Sequence, residues 1–327
     1  MIVNDLKKTY EVVENSGLFK RGNKRYIEAV KGINLQVEKG QIIGLLGLNG
    51  AGKSTTIKML TTILSPSSGN IEIDGIDIVK NPNLAREKIN MIIGGEKGLY
   101  WRLTARENLF YFGSLYKIDK KTLKNRIDKI IDVVGLADFE NVIIEKYSKG
   151  MKQRMQIARG LINDPDYIFL DEPTLGLDVV IARELRNYIK KLAKDENKGV
   201  LLTTHHIIDV EEMCDYLYII DKGEIVLEGK IDDVKEKYKT YFQYSIKVSY
   251  INSSVKKELD NLNGTKFDYY ENEEGMLIDA SLKENILPEV LNILIKNNID
   301  IIDTKSTEPK LEDILISIFS KGGNIDA

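Results

Sequence analysis

The chain has 327 residues, 43% of them hydrophobic and 30% charged, with a formal net charge of −3, a composition typical of a globular protein of about two domains. This charge balance gives no support to a nucleic-acid partner, which usually requires a basic surface. The single cysteine, Cys214, excludes an internal disulfide and is interpreted as a small buried hydrophobe. No apolar run approaches the roughly 18 residues of a membrane helix and residues 1–5 do not resemble a signal peptide, so we expect a soluble protein whose membrane partner, if any, is another chain.

The first two thirds of the chain alternate short apolar runs with helical stretches. The run at 41–47 ends in glycine, as expected of a buried strand before a tight turn. Similar runs end in polar residues at 167–171 and 199–204, with a helix between them at 179–194. This alternation predicts an α/β fold with a mainly parallel sheet and helices on both faces, closed by a hairpin at 216–228.

The segment between 99 and 160 is mostly helical. Apolar residues recur at helical spacing in three stretches, 105–116, 122–134 and 151–162. They predict a helical insertion within the α/β domain at about 97–163.

A change of composition near 230–240 predicts a boundary between a domain at 1–235 and a second domain at 236–327. In the second domain the predicted elements run strand, helix, two strands, helix, strand. This order is typical of a small α+β unit of the ferredoxin-like kind. A last helix is expected to open at Pro309.

Residues 47–54, Gly-Leu-Asn-Gly-Ala-Gly-Lys-Ser, match the phosphate-loop pattern G-x-x-x-x-G-K-[ST] between a predicted strand and a predicted helix. Glycines let backbone N–H groups turn inward onto phosphate oxygens, and the positive end of the helix faces the same oxygens. Lys53 is expected to reach the β- and γ-phosphates, and Ser54 to ligate Mg²⁺. The nucleotide-binding residues assigned here are Gly47, Asn49, Gly50, Ala51, Gly52, Lys53, Ser54 and Thr55.

Two further strand ends carry polar side chains. At the end of the strand 167–171, Asp171 is suited to hold Mg²⁺ and Glu172 to polarise an attacking water as general base, although acidic residues there are also common as helix caps. His205 follows the strand at 199–204 and is either a contact for the γ-phosphate or an ordinary polar histidine. We expect His206 to point elsewhere, because neighbours on a strand face opposite sides.

Together these segments resemble the ATPase subunit of ABC transporters. Besides the phosphate loop, 172–178 (Glu-Pro-Thr-Leu-Gly-Leu-Asp) is similar to the Walker B and D-loop segment of that family, and 203–205 is similar to its H-loop. Residues 147–154 (Tyr-Ser-Lys-Gly-Met-Lys-Gln-Arg) resemble the family signature, usually written L-S-G-G-Q. The resemblance extends from about residue 2 to residue 229, in the family's order and spacing.

The resemblance implies a P-loop NTPase core with an ABC-type helical insertion and an N-terminal antiparallel β subdomain. It implies ATP and Mg²⁺ as cofactors, with Lys53, Glu172 and His205 as the catalytic residues. The implied partners are a separate transmembrane permease and a second ATPase subunit, most simply a copy of this chain. The protein would then act at the cytoplasmic face of the cell membrane.

The signature segment also has a physical interpretation. Ser148 and the flexible Gly150 at the start of the helix 151–162 bring a hydroxyl, free N–H groups and a positive helix end together, which makes an anion site. Without the resemblance, Ser148 would be interpreted as an ordinary helix cap. In the family this site contacts the γ-phosphate bound by the opposite subunit, so the resemblance assigns Ser148 and Gly150 to the nucleotide, together with Asp178 of the D-loop.

Two positions of the family pattern stay open. Tyr10 matches the aromatic residue that stacks on adenine in relatives, but an apparent insertion at 15–25 makes Tyr26 a competitor. That insertion carries two basic pairs and is either a solvated loop or a contact for lipid headgroups or a partner. The glutamine that relatives carry before the helical insertion falls on Gly95, and Glu96 is the nearest side chain that could reach Mg²⁺ through water.

The segment after Glu96 bears on partners. The adjacent glycines at 94 and 95 fit a hinge. Trp101, the only tryptophan, lies where relatives dock a membrane-subunit helix and is either an interface residue or part of the core. The ending at 307–315 is similar to that of ATPase subunits in bacterial exporters and favours export over import.

Two other functions were compared with a transporter ATPase. A soluble ABC protein acting on ribosomes or DNA usually carries two ATPase units or a long coiled coil, and this sequence has one unit and no coiled coil. A nucleotide sensor that does not hydrolyse ATP is disfavoured by the presence of both Glu172 and His205.

Overall fold

The computed structural model describes residues 1–13, 24–93, 98–237, 242–262, 264–272, 275–282, 285–307 and 311–320. The chain forms two compact units, Met1–Ile231 and Asp232–Ala327.

The first unit alternates strands and helices. Its strands are β1 (Ile2–Val13), β2 (Lys24–Gln36), β3 (Ile42–Leu46), β4 (Ser68–Ile73), β5 (Ile76–Asp77), β6 (Ile89–Ile93), β7 (Tyr167–Asp171), β8 (Gly199–Thr204), β9 (Tyr216–Asp221) and β10 (Glu224–Lys230). Its helices are α1 (Lys53–Leu60), α2 (Pro82–Lys88), α3 (Ala105–Leu115), α4 (Lys120–Val133), α5 (Lys149–Leu161), α6 (Val179–Lys194) and α7 (Ile207–Met213). A further helix, α8 (Ile231–Lys237), begins at its last residue.

The central sheet has the strand order β10-β9-β3-β8-β7-β6. Its inner strands run parallel and only β10 is antiparallel, so the predicted parallel sheet and closing hairpin are confirmed. Every residue of β3 and β8 is buried, which explains why their sequences are continuous apolar runs without alternation. Because β3, β7 and β8 are parallel, the segments that follow them lie at the same edge of the sheet.

An antiparallel sheet of order β2-β1-β4-β5 forms the N-terminal part of this unit, as the family resemblance implied. Its register is interrupted by shifts along β1, between Val3 and Leu6 and between Lys8 and Thr9. Its inward residues, among them Val3 and Leu6, join one hydrophobic cluster with α1 and one face of the central sheet.

The predicted helical insertion is present as α3, α4 and α5. Helix α3 begins with a capping box, in which the Thr104 side chain accepts from the Glu107 backbone N–H and the Glu107 side chain accepts from that of Thr104. Helix α4 buries its apolar stripe, which includes Leu123 and Ile127. These helices share a hydrophobic cluster with α6 and the other face of the central sheet.

The second unit has the predicted order of elements. They are β11 (Phe242–Val248), α9 (Ser253–Asp260), β12 (Thr265–Asn272), β13 (Gly275–Leu282), α10 (Leu287–Lys296), β14 (Ile301–Thr307) and α11 (Leu311–Ser320). The sheet order β12-β13-β11-β14, antiparallel throughout, is that of a ferredoxin-like fold. Pro309, predicted to open the last helix, lies outside the described residues.

Two expectations from composition can be compared with the structure. Within the described ranges, no helix combines the length and apolar character needed to span a bilayer. Cys214 packs against β3, where a Cβ added to Gly44 would lie 3.0 Å from its Sγ. Burial raises the pKa of this thiol well above its usual range, so Cys214 behaves as the predicted hydrophobe and not as a reactive thiol.

Candidate active site

The loop between β3 and α1 is shaped by glycines. A Cβ at position 47 would lie 2.3 Å from the Ile220 carbonyl oxygen, so only glycine fits there. Gly52, the N-cap of α1, has φ +112°, a conformation that side chains disfavour. No side chain caps α1 and its first turn carries no acidic residue. Its N–H groups therefore form a positive, uncapped end, as a phosphate site requires.

Lys53 lies over this loop. Only 6% of the residue is exposed, and its Nζ donates hydrogen bonds to the carbonyl oxygens of Gly47 (2.6 Å) and Leu48 (3.1 Å). Burial lowers the pKa of Lys53, while the charges of Glu172 and Asp171 oppose that shift. The structure thus brings the predicted lysine, loop and carboxylates into one electrostatic neighbourhood.

The other predicted members of the loop differ in exposure. Asn49, Gly50 and Ser54 are exposed, Thr55 is half-buried, and Ala51 is buried. The exposed Ser54 hydroxyl at the N-terminus of α1 is accessible to a metal ion. Glu96, the other predicted metal ligand outside the strand ends, and the glycines of the predicted hinge lie outside the described residues.

Asp171 is held at the end of β7 by the neighbouring strand. It is in register with Thr203 of β8, whose Oγ1 donates a hydrogen bond of 2.6 Å to its Oδ1. Asp171 is half-buried. Asp171 and Ser54 both offer oxygen ligands, which Mg²⁺ prefers, and the charge of Asp171 acts on Lys53, the neighbour of Ser54, so the chemistry of these residues fits that ion.

Glu172 and His205 are in direct contact. The His205 Nδ1 lies 2.9 Å from Oε1 and 2.8 Å from Oε2 of Glu172. Glu172 has φ +50°, which costs a residue other than glycine about 1–3 kcal/mol, and its N–H donates to the Thr203 carbonyl at 3.0 Å. The strained turn after β7 thus aims a carboxylate at an imidazole, an arrangement that can orient and deprotonate a water.

The expectation that His206 faces away from His205 is wrong. The two rings are 4.1 Å apart between centroids, and a donor atom from each of them lies within 4.8 Å of a Glu172 oxygen. Strand β8 ends at Thr204, so the alternation of faces stops before these histidines.

Ser148 is exposed and is the N-cap of α5, where its Oγ accepts a hydrogen bond of 3.2 Å from the Met151 N–H. Gly150 is buried against Ile181 of α6, and a Cβ there would approach that side chain to 3.2 Å. Asp178 caps α6 by accepting from the Ile181 N–H at 2.9 Å. Within this chain Ser148 and Asp178 therefore act as helix caps, and both stay accessible to a ligand.

The two candidate adenine-stacking residues face opposite sides of the β1–β2 ribbon. Tyr10 is opposite Ile27, while Tyr26 is opposite Glu11, the neighbour of Tyr10. Tyr10 is 36% exposed and Tyr26 is 63% exposed. A nucleotide on one face of the ribbon can therefore contact only one of them.

Trp101 is a surface residue. It is 45% exposed, and the Lys152 Nζ lies 4.5 Å from its ring centroid. Of the two alternatives for Trp101, this exposure fits an interface residue better than a core residue.

Sequence reasoning missed a buried network behind the site. Asp209 of α7 is completely buried and receives hydrogen bonds from Thr174, Thr204 and Arg186. Gln153 of α5 donates a buried hydrogen bond of 3.0 Å to the Pro173 carbonyl, which follows Glu172 directly. An aspartate on a short helix is more often solvated, so the sequence contains no local signal for this network.

Comparisons with known proteins agree with this geometry. The ABC transporter family matches residues 30–175. The chain is 42% identical to the ABC transporter ATP-binding protein NatA of Bacillus subtilis, over 65% of this chain and 86% of that protein. It is 34% identical to the bacitracin transport ATP-binding protein BcrA of Bacillus licheniformis, over 90% and 94% of the two chains. It is 36% identical to the daunorubicin/doxorubicin resistance ATP-binding protein DrrA of Streptomyces peucetius, over 68% and 66%.

Solved structures give the same result. The ATP-binding subunit of an ABC transporter superposes with a TM-score of 0.60 at 28% identity, over 72% of this chain and 92% of that chain. A dimeric post-hydrolysis state of an ATP-binding cassette with bound ADP and Pi superposes with a TM-score of 0.59 at 26% identity, over 71% and 99%.

Proposed function

Since the chain belongs to the family of ABC transporter ATP-binding proteins, we propose that it hydrolyses MgATP between the loop 47–52 and the Glu172–His205 pair. The observation that carries this proposal is the contact of 2.8–2.9 Å between the His205 Nδ1 and the Glu172 carboxylate, beside a buried lysine on a glycine loop.

Each residue has a separate task in this proposal. The loop N–H groups and Lys53 bind the β- and γ-phosphates, and Ser54 and Asp171 hold the Mg²⁺. A Mg²⁺ ion held there would neutralise negative charge that develops on the phosphates. Glu172 accepts a proton from the attacking water, and His205 keeps the carboxylate oriented toward it.

The working unit in this proposal is a dimer of this chain. Ser148 heads α5 as an exposed helix end without an acidic first turn, which suits a second phosphate site. Close to Asp178 the side chains of Leu175, Val179 and Val180 are 49%, 81% and 66% exposed, an apolar patch that a partner could cover. The dimeric cassette with ADP and Pi supports the same assembly.

We place the permease where the helical insertion meets the α/β core. A cavity of about 480 Å³ is lined by Ile63, Arg86, Ile93, Tyr116 and Arg159 among others, and it suits a short element of a membrane partner. Nearby in sequence, the exposed rings of Tyr100 and Tyr111 meet edge to face at 4.8 Å, and exposed aromatic residues of this kind suit an interface.

The direction of transport is proposed from the relatives. BcrA is named for bacitracin transport and DrrA for resistance to daunorubicin and doxorubicin. We therefore propose that this chain powers export, from the cytoplasmic face of the membrane.

The test of the catalytic assignment is Glu172→Gln. Because the amide cannot accept a proton, ATP turnover should fall by roughly 10²- to 10⁴-fold while ATP binding is kept. The variant should also accumulate as an ATP-bound dimer in size-exclusion chromatography, since hydrolysis no longer separates the subunits. Glu87→Gln, at an exposed carboxylate on α2, is the matched control. Unchanged turnover in Glu172→Gln would refute the role of Glu172 as general base.

A further inference from the structure

Asp209 joins the two segments that carry Glu172 and His205. Its Oδ2 accepts hydrogen bonds from Thr174 Oγ1 (2.5 Å) and Thr204 Oγ1 (3.2 Å). Thr174 is two residues after Glu172, and Thr204 is the residue before His205. Asp209 Oδ2 therefore accepts one hydrogen bond from the segment that carries Glu172 and one from the segment that carries His205.

The opposite side of Asp209 is anchored by a buried cation. Arg186 Nη1 of α6 lies 3.1 Å from Asp209 Oδ1, and Arg186 Nε donates to Glu212 Oε2 at 2.8 Å. Asp209 is 0% exposed and Arg186 is 5% exposed. Both carboxylate oxygens of Asp209 are thus used, and the aspartate is fixed between α6, α7 and the ends of β7 and β8.

A purely structural role explains this arrangement poorly. A buried ion pair contributes little to stability compared with apolar residues of similar volume, because both charges lose their hydration. What the network does provide is a fixed distance between two turns. One of these turns contains Glu172 at φ +50°, and such a strained backbone persists only where its surroundings hold it.

The two adjacent threonines of β8 divide this work. Thr203 donates to Asp171 Oδ1 on one face of the strand, and Thr204 donates to Asp209 Oδ2 on the other. Thr204 Oγ1 also accepts from the His206 N–H at 2.9 Å, so the turn after β8 is tied to the same network. Hydrogen bonds therefore fix the ends of both β7, which precedes Glu172, and β8, which precedes His205.

We propose that Asp209 is a positioning residue for ATP hydrolysis, which holds Glu172 and His205 in register through the hydroxyls of Thr174 and Thr204. The inference rests on the proposed function of Glu172 and His205. Asp209 itself, buried behind them, does not touch the nucleotide.

The experiment removes each hydroxyl and leaves the Arg186–Asp209 ion pair in place. Thr174→Val and Thr204→Val in the full-length chain keep the side-chain volume. Thr174→Val deletes the hydrogen bond to Asp209, and Thr204→Val deletes the one to Asp209 together with the one from the His206 N–H. Because small displacements of catalytic groups slow turnover strongly, each variant should lower kcat by roughly 10- to 100-fold with little change in KM for ATP. Thr174→Ser, which keeps the hydroxyl, should restore most of the kcat.

Tyr167→Phe is the matched control for stability. Tyr167 is buried at the opposite end of β7, and its hydroxyl donates a hydrogen bond of 2.8 Å to Asp74. The same hydroxyl accepts from the Met1 ammonium at 3.1 Å, so Tyr167→Phe removes two hydrogen bonds, as Thr204→Val does. It should lower the melting temperature by an amount similar to Thr204→Val and leave kcat unchanged. The proposal is overturned if both threonine variants keep the parental kcat, if Tyr167→Phe lowers kcat as much as they do, or if Thr174→Ser fails to rescue.

Glu172→Gln separates this inference from the proposed function. Inactive Glu172→Gln together with fully active threonine variants would refute only the positioning role of Asp209. Active Glu172→Gln would refute the catalytic assignment on which the positioning role depends.

Discussion

Replacing Lys53 with methionine separates nucleotide binding from the stability of the fold. In the structure the Lys53 ammonium is buried and donates to the Gly47 and Leu48 carbonyls at 2.6 and 3.1 Å. Methionine has a similar length and no charge. The substitution removes a buried cation whose pKa is lowered by burial, which favours the folded state. It also leaves two carbonyl groups without their donor, which disfavours the folded state. These effects oppose each other, so we expect the ligand-free melting temperature to change by only a few degrees.

The effect on MgATP binding should be much larger. Two charge-assisted hydrogen bonds to phosphate, each worth about 1.5 kcal/mol, correspond to a loss of affinity of roughly 100-fold. For the parental protein, ATP at 100 times its Kd stabilises the fold by about 2.7 kcal/mol, or roughly 5–10 °C for a unit of this size. At the same ATP concentration Lys53→Met should retain about 0.4 kcal/mol, or roughly 1 °C.

Differential scanning fluorimetry with and without MgATP measures both the ligand-free melting temperature and its increase on MgATP binding. Lys58→Met, at an exposed lysine on the same helix, should keep the full ATP-dependent shift. If Lys53→Met also kept that shift, the loop 47–52 would not be the triphosphate site. If Lys53→Met showed no unfolding transition without ligand, the two carbonyl groups left without a donor would cost more than the removal of the buried charge gains, and the expected small change in stability would be wrong.

Two further predictions concern the helical insertion. Burial raises the pKa of Tyr147 to about 12, so the folded chain keeps this phenol neutral up to a higher pH than the unfolded chain. The resulting stability is present below about pH 10 and is lost as the pH rises through about 12. Tyr147→Phe should therefore flatten the fall in melting temperature over that window. An unchanged slope would contradict the raised pKa of Tyr147. Trp101→Ala removes an exposed indole and should reduce the amount of permease that co-purifies with the tagged chain, whereas Tyr250→Ala, an exposed aromatic residue of the second unit, should not; equal recovery from both variants would place the docking surface elsewhere.

The parts of the fold that the sequence predicted are those with a local signal. The strand, glycine loop and helix at 41–60 are encoded by an apolar run, by glycines at positions without room for a Cβ, and by helical periodicity. The ferredoxin-like order of the second unit follows in the same way from alternation in β11 and β13, whose inward residues are buried. The N-terminal antiparallel sheet was reached only through the family resemblance, because the register shifts of β1 break the alternation that would have shown it.

The site required tertiary information that local patterns do not contain. Alternation predicted that His206 would turn away, but β8 stops at Thr204 and the ring centroids of His205 and His206 lie 4.1 Å apart. The positive φ of Glu172 has no sequence signal, because glutamate rarely adopts that conformation. Asp209 follows β8 by five residues in the sequence, yet its partners come from α6, from β8 and from the turn after β7.

The two ends of β7 show why the Asp209 network concerns function and not only folding. At the start of the strand, the Tyr167 hydroxyl donates to Asp74, whose other partners are the exposed or half-buried lysines 39 and 88. Asp74 also has a positive φ, +48°, but aspartate adopts this conformation several-fold more often than most residues, and the charges at this end retain part of their hydration. At the other end the chain holds Glu172 at positive φ and buries Asp209 completely, and both features cost free energy. Since the partly hydrated contacts of Asp74 anchor one end of β7, anchoring the other end does not by itself require a buried aspartate network and a strained glutamate. The difference between the two ends is that only the second carries the Glu172–His205 pair, so the geometry of that pair is what the additional free energy maintains.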